Sequence, residues 1–123
     1  MTKEGFLELL PKIREAARAL GYAIGVHGSL SRDYDLIAVP WTSDAASSDD
    51  LAFAVFEASG AVRWRVWWDV GQQKPHGRKA YAFDWDKHNY ENRDYCDLSV
   101  MPRIDVTPNR DSRSVVKQDR LLS

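Results

Sequence analysis

The sequence predicts one small α/β domain of the α+β kind, a mixed β-sheet with helices mainly on one face. Three observations predict it. Two stretches, 3–20 and 49–59, have the composition and punctuation of helices, and the first carries its apolar residues at the helical period. Five short stretches, near 22–27, 32–39, 62–70, 79–85 and 93–100, read as strands bounded by glycine, proline or polar loops. Their order is helix, two strands, helix, three strands, which suits a mixed sheet. The chain has 123 residues, enough for one core and too few for two.

Composition narrows the class. Apolar residues make up 44% and charged residues 28%, as in a folded globular domain rather than a disordered one. The apolar runs fall far short of the roughly 20 residues needed to span a bilayer, so no membrane segment is expected. The opening MTKEGF carries an acid and no following apolar block, and so does not read as a signal peptide. Cys96 is the only cysteine, which excludes an intramolecular disulfide and makes a reducing, cytoplasmic setting the expectation. The net charge of −1 gives no global attraction to nucleic acid or anionic lipid.

In the first helix, Phe6, Leu9, Leu10, Ile13, Ala16, Ala17 and Leu20 form one stripe. Thr2 is placed to cap it and Gly21 to end it in a left-handed conformation. Pro11 predicts either a kink or a short helix followed by a second one starting there. Tyr22 to His27 and Arg32 to Val39 form a tight hairpin, and Pro40 stops its second strand. A polar loop, Thr42 to Ser48, leads to the second helix, with Ser48 as cap and Gly60 as terminator. Val62 to Val70 places Val62, Trp64, Val66 and Trp68 on one face and Arg63, Arg65, Trp67 and Asp69 on the other. Gly71 to Arg78 reads as a polar loop, Lys79 to Trp85 as a strand, Asp86 to Asn92 as a turn, and Arg93 to Val100 as the last strand. Residues 1–102 thus form the domain. Residues 103–123 form a charged tail, basic by five residues to three acidic, as a short helix over Ser114 to Leu122 or a partly disordered end.

Chemistry concentrates in Gly28-Ser29-Leu30-Ser31-Arg32-Asp33-Tyr34-Asp35-Leu36. Strand side chains alternate, so Asp33 and Asp35 present carboxylates on one side, about 6–7 Å apart. Like charges that close repel, which raises one pKa unless a cation lies between them. Mg²⁺ takes carboxylate oxygens and keeps waters or substrate phosphates as further ligands. An exposed strand face would carry the same pair with no ligand. Asp97 lies in the apolar strand Tyr95-Cys96-Asp97-Leu98, where a buried acid needs a metal or an ion pair with Arg32, Arg63 or Arg78.

Lys74-Pro75-His76-Gly77-Arg78 sets two cations around an imidazole, a group suited to phosphate, or else a solvated hairpin loop. His27 either contacts phosphate or donates to a backbone carbonyl. Trp64 and Trp68 read as core. Trp67, beside Arg63 and Arg65, is placed to stack a base or meet a partner, and Trp41 to stack a base or pack on its own loop. A zinc site is excluded by one cysteine and three dispersed histidines, and a P-loop by the absence of Gly-x-x-x-x-Gly-Lys.

Gly28-Ser29 ahead of Asp33-x-Asp35, after a helix and a strand, together with Asp97, resembles the nucleotidyltransferase superfamily of minimal nucleotidyltransferases and polymerase β-like enzymes. The likeness spans about residues 5–101. With Val39-Pro40-Trp41, the Lys74–Arg78 segment and Asp97-Leu98-Ser99-Val100-Met101-Pro102, the chain is also similar to small phage or prophage nucleotidyltransferase-like proteins. The resemblance implies a nucleotidyltransferase-like core in which Asp33, Asp35 and Asp97 are catalytic and hold Mg²⁺. It implies that Gly28 and Ser29 meet the triphosphate. The chain departs from the family in having only Leu30, Ser31 and Arg32 between the Gly-Ser and the acidic pair, which removes backbone donors around the phosphates.

The expected activity is Mg²⁺-dependent nucleotidyl transfer from a nucleoside triphosphate to a hydroxyl of protein, RNA or a small molecule. Lys74, His76 and Arg78 would assist at the phosphates. Two other readings keep the fold without the reaction: an inactive nucleotide-binding protein, or a phage-type protein that binds and modulates a host protein. A module this small would gain cleft walls from a second copy, which makes a homodimer one expected assembly.

Overall fold

A computed structural model gives the fold and describes residues 1–31, 33–65, 72–86 and 94–103. Helix α1 runs Lys3–Ala19. The Thr2 side chain accepts the Gly5 N–H at 3.0 Å, satisfying one of the donors that a helix start leaves unpaired. Phe6, Leu10, Ile13 and Ala17 form the buried stripe. Pro11 lies inside one continuous helix, so the two-helix alternative is not what forms. Pro11 is exposed, on the side away from that stripe. Gly21 ends α1 with φ +89, and a β-carbon on it would come within 2.9 Å of Ala45 Cα. Only glycine suits both demands.

Helix α2 spans Ser48–Ala58. Its cap is Ser47, not Ser48 as the sequence suggested: the Ser47 hydroxyl accepts the Asp50 N–H at 3.2 Å. Ser48 Oγ instead hydrogen-bonds with Tyr81 Oη at 3.1 Å. Asp49 and Asp50 stand in the first turn, where the helix dipole favours negative charge. The Tyr81 hydroxyl also donates to Asp49, which takes an ion pair from Lys79 at 2.9 Å.

The strands are β1 (Tyr22–His27), β2 (Tyr34–Pro40), β3 (Arg63–Trp64), β4 (Gln72–Gln73), β5 (Lys79–Asp84) and β6 (Tyr95–Val100). They form a mixed sheet in the order β1-β2-β6-β5-β3, with the short β4 also pairing with β5. Only β2 and β6 run parallel among these pairs. The segment expected as one polar loop, 71–78, holds β4 and a 3-10 turn at Pro75–Gly77. The expected strand 62–70 is described only as far as Arg65. Val66, Trp67, Trp68 and the tail helix at 114–122 lie outside the described residues.

Aromatic packing joins the helices to the sheet. Phe6 of α1 stacks on Tyr34 of β2 at 4.6 Å, and Phe56 of α2 stacks on Trp64 of β3 at 4.3 Å. Phe83 of β5 meets both Phe56 and Trp64 edge-on at 5.5 Å. Phe6 and Phe83, fully buried, each contribute roughly 1.5–3 kcal/mol by leaving water. Asp84, 0% exposed, closes the end of β5. Its Oδ2 binds Arg63 Nη2 at 2.9 Å and Arg65 Nε at 2.7 Å, and the Arg65 guanidinium lies 4.5 Å above the Tyr95 ring.

Candidate functional site: a cleft between paired aspartates and Arg78

The β1–β2 hairpin sets the geometry. Gly28 leaves β1 with φ +82, and a β-carbon on it would stand 3.4 Å from Asp35 Oδ2. The turn therefore lies against that carboxylate. Leu30 follows with φ +60 and its side chain buried. The left-handed conformation costs a branched residue roughly 1–2 kcal/mol, which burial of the leucine offsets. The Ser29 and Ser31 hydroxyls hydrogen-bond to each other at 2.8 Å.

Register then aligns one row across the sheet: His27 opposite Asp35, Asp35 beside Asp97, and Asp97 opposite Ala82. Tyr34, Leu36 and Ala38 of β2 and Cys96, Leu98 and Val100 of β6 are buried. Alternation turns Asp35, Ile37, Asp97 and Ser99 the other way. These four, with His27, Arg78 and Met101, line an open cleft of about 380 Å³.

The charges in the cleft act on one another. Burial raises the Asp35 carboxyl above its ordinary pKa, Asp33 adds to that, and His27 opposes it. Burial also raises Asp97, Asp35 raises it further, and Arg78 pulls it back, with lesser effects of Asp33 upward and Lys74 downward. The buried Cys96 thiol is pushed well up by burial and then by Asp97 and Asp35, which suits a core residue rather than a nucleophile.

Among the described residues, no three His, Cys, Asp or Glu side chains converge on one metal position. Mg²⁺ does not require three: it is commonly held by one or two carboxylates with waters and phosphate oxygens completing its shell. Asp35 and Asp97, side by side and mutually repelling, fit that donor set.

The expected site residues divide into groups. Asp35, Asp97 and Arg78 share the cleft. Asp33 stands just before β2 and acts on both other aspartates through its field without lining the cleft. Lys74 acts on Asp97 in the same manner. Gly28 and Ser29 adjoin the cleft at Asp35 but do not line it, and His76 is exposed with φ +66. Trp41, 63% exposed, is six residues along from Asp35, roughly 20 Å at the rise of a strand. It does not line the cleft, and its backbone N–H donates to Gly21 O at 2.9 Å. Trp67 is outside the described residues.

Two alternatives for Asp97 are resolved by what the arginines do. Arg63 pairs with Asp84, and Arg78 Nη1 donates to Ser99 Oγ at 2.8 Å. Arg32 is outside the described residues. Ser99, Ile37 and Met101 were not singled out from the sequence. Alternation from Asp97 would have found Ser99, and from Asp35 Ile37, while Met101 enters through the Met101 N–H to Ala38 O bond that extends β6 along β2.

No protein-family model matches the chain, and no curated protein or solved structure matches it at a significant level. Among the described residues, no helix is long and apolar enough to cross a membrane.

Proposed function

We propose that the chain binds a nucleoside triphosphate with Mg²⁺ in this cleft and transfers its nucleotidyl group to a hydroxyl of a second substrate. The observation that carries this reading is the in-register pairing of Asp35 and Asp97 on neighbouring parallel strands, in a cleft that Arg78 also lines. The resemblance of Asp33-x-Asp35 and Asp97 to nucleotidyltransferases supports it. Cys96, buried and unpaired, suits a reducing cytoplasmic setting.

Asp35 and Asp97 would hold Mg²⁺, with Asp33 adding negative potential from the hairpin. The bound ion supplies charge neutralisation at the phosphates and lowers the pKa of the acceptor hydroxyl. Asp97 accepts the hydroxyl proton. The hydroxyl oxygen forms a bond to the α-phosphorus as the bond from that phosphorus to the bridging oxygen breaks. Pyrophosphate leaves with the electron pair, toward Arg78. Most of the rate would come from positioning and from stabilising developing negative charge.

Calorimetric titration with ATP, GTP, CTP and UTP in Mg²⁺ tests the binding step. Wild type is expected to bind at least one of them and Asp35→Asn to lose that binding. Wild type that binds none of the four refutes the reading. Release of labelled product from α-labelled triphosphate then separates a transferase from a nucleotide-binding protein without turnover.

A further inference from the structure

The cleft carries two signs of charge. Its acidic row holds Asp35 and Asp97, and Ser99, two residues further along β6, lines the same cleft with Arg78. Arg78 is held from several directions. Its Nη1 donates to Ser99 Oγ at 2.8 Å, and its carbonyl accepts the Lys74 N–H at 2.8 Å, which closes the 74–78 segment into a loop. Gly77, at φ +77, lies so near Pro102 that a β-carbon on it would stand 3.3 Å from the proline ring. A guanidinium has five N–H donors in a planar fork, and the bond to Ser99 uses one of them.

The Gly28–Ser31 turn is differently placed. Gly28 faces the Asp35 carboxylate, Ser29 Oγ is paired with Ser31 Oγ, and neither Gly28 nor Ser29 lines the cleft. An anion approaching that turn would meet negative charge first.

We infer that the Lys74–Arg78 loop, with Ser99 as the positioning residue for Arg78, is the anion-binding element of the cleft and takes the outer phosphates of a polyphosphate ligand. The Gly28-Ser29 turn does not have that role. The nucleoside at the other end of the ligand rests on the function proposed above; the loop itself selects the polyphosphate. Ser99 fixes the direction of the fork, so that Arg78 presents two parallel donors to phosphate oxygens across from the carboxylates.

The test titrates inorganic tripolyphosphate, ATP and Mg²⁺ alone into wild type and four variants by calorimetry. Wild type is expected to bind tripolyphosphate. Ser99→Ala weakens tripolyphosphate and ATP about fivefold, the worth of one hydrogen bond, and leaves Mg²⁺ affinity within about twofold. Ser99→Thr, which keeps the hydroxyl, restores the affinity. Arg78→Lys loses more than Ser99→Ala, because a lysine cannot make the paired contact. Ser29→Ala changes nothing beyond about twofold.

Wild type that fails to bind tripolyphosphate overturns the inference. So does a Ser29→Ala loss as large as that of Ser99→Ala. Tripolyphosphate bound through Arg78 and Ser99 without any nucleotide binding sustains the loop and overturns the nucleotide reading. ATP bound equally well by wild type, Ser99→Ala and Arg78→Lys does the reverse.

Discussion

Neutralising Asp97 should make the folded chain more stable while removing its proposed activity. Asp35 and Asp97 are register neighbours on adjacent strands, a separation of about 5 Å. Two unit charges at that spacing repel by roughly 1–3 kcal/mol for effective dielectric constants between 80 and 20. Asp97→Asn keeps the side-chain shape and removes the repulsion, so urea unfolding in EDTA should show a gain of about 1 kcal/mol after allowance for solvent screening. Asp35→Asn should give a similar gain. The double variant should gain little more than either single one, because the repulsion disappears with the first substitution.

The pH dependence has a fixed sign. Both carboxyls are raised in the fold, so the native state holds more protons than the unfolded chain above the ordinary carboxylate pKa of 3.8. Stability from this pair is therefore present at low pH and lost as pH rises through the raised native values. The advantage of Asp97→Asn over wild type should be largest at pH 7 and shrink as pH falls through the raised native values. Mg²⁺ should raise wild-type stability and leave that of Asp97→Asn nearly unchanged. Single variants that lose stability, or gains that simply add in the double variant, would show that the two carboxylates do not share one field.

Asp84→Asn should cost about 3 kcal/mol in urea unfolding, since it leaves Arg63 and Arg65 around a buried position without its charge. A loss under about 1 kcal/mol would mean that the cluster is solvated in solution. Gly21→Ala should cost about 2 kcal/mol or more, from the positive φ and from the Ala45 backbone 2.9 Å from the new β-carbon. Gly60→Ala is the control: its φ is +74 but nothing lies within 4 Å, so only the backbone strain of about 1 kcal/mol is expected. Equal losses at the two glycines would refute the steric argument.

Much of the hairpin was legible in the sequence because its signals are local. Tyr22–His27 is the strand that the following Gly28-Ser29 bounded, and β2 begins two residues later than expected, at Tyr34, where its pairing with Cys96 of β6 starts. The α2 cap was misassigned by one residue. Two adjacent serines offer the same hydroxyl, and only the packing of Tyr81 decides which one is engaged elsewhere. Trp41 illustrates another limit. Its proximity to Pro40 in sequence says nothing of distance from Asp35, because an extended strand carries it to the far end.

By itself the sequence determined the α+β class, most of the element order and the presence of Asp35 on a strand after a Gly-Ser turn, with Asp33 just ahead of that strand. Those features follow from periodicity, punctuation and alternation within a few residues. Only the tertiary structure decided that β6 lies beside β2 and parallel to it, which sets Asp97 against Asp35. It also decided that Arg63 serves Asp84, and that Arg78 donates to Ser99 where both line the cleft. Strand pairing between residues some 60 apart depends on which apolar faces bury together, and no local pattern in the chain encodes that choice.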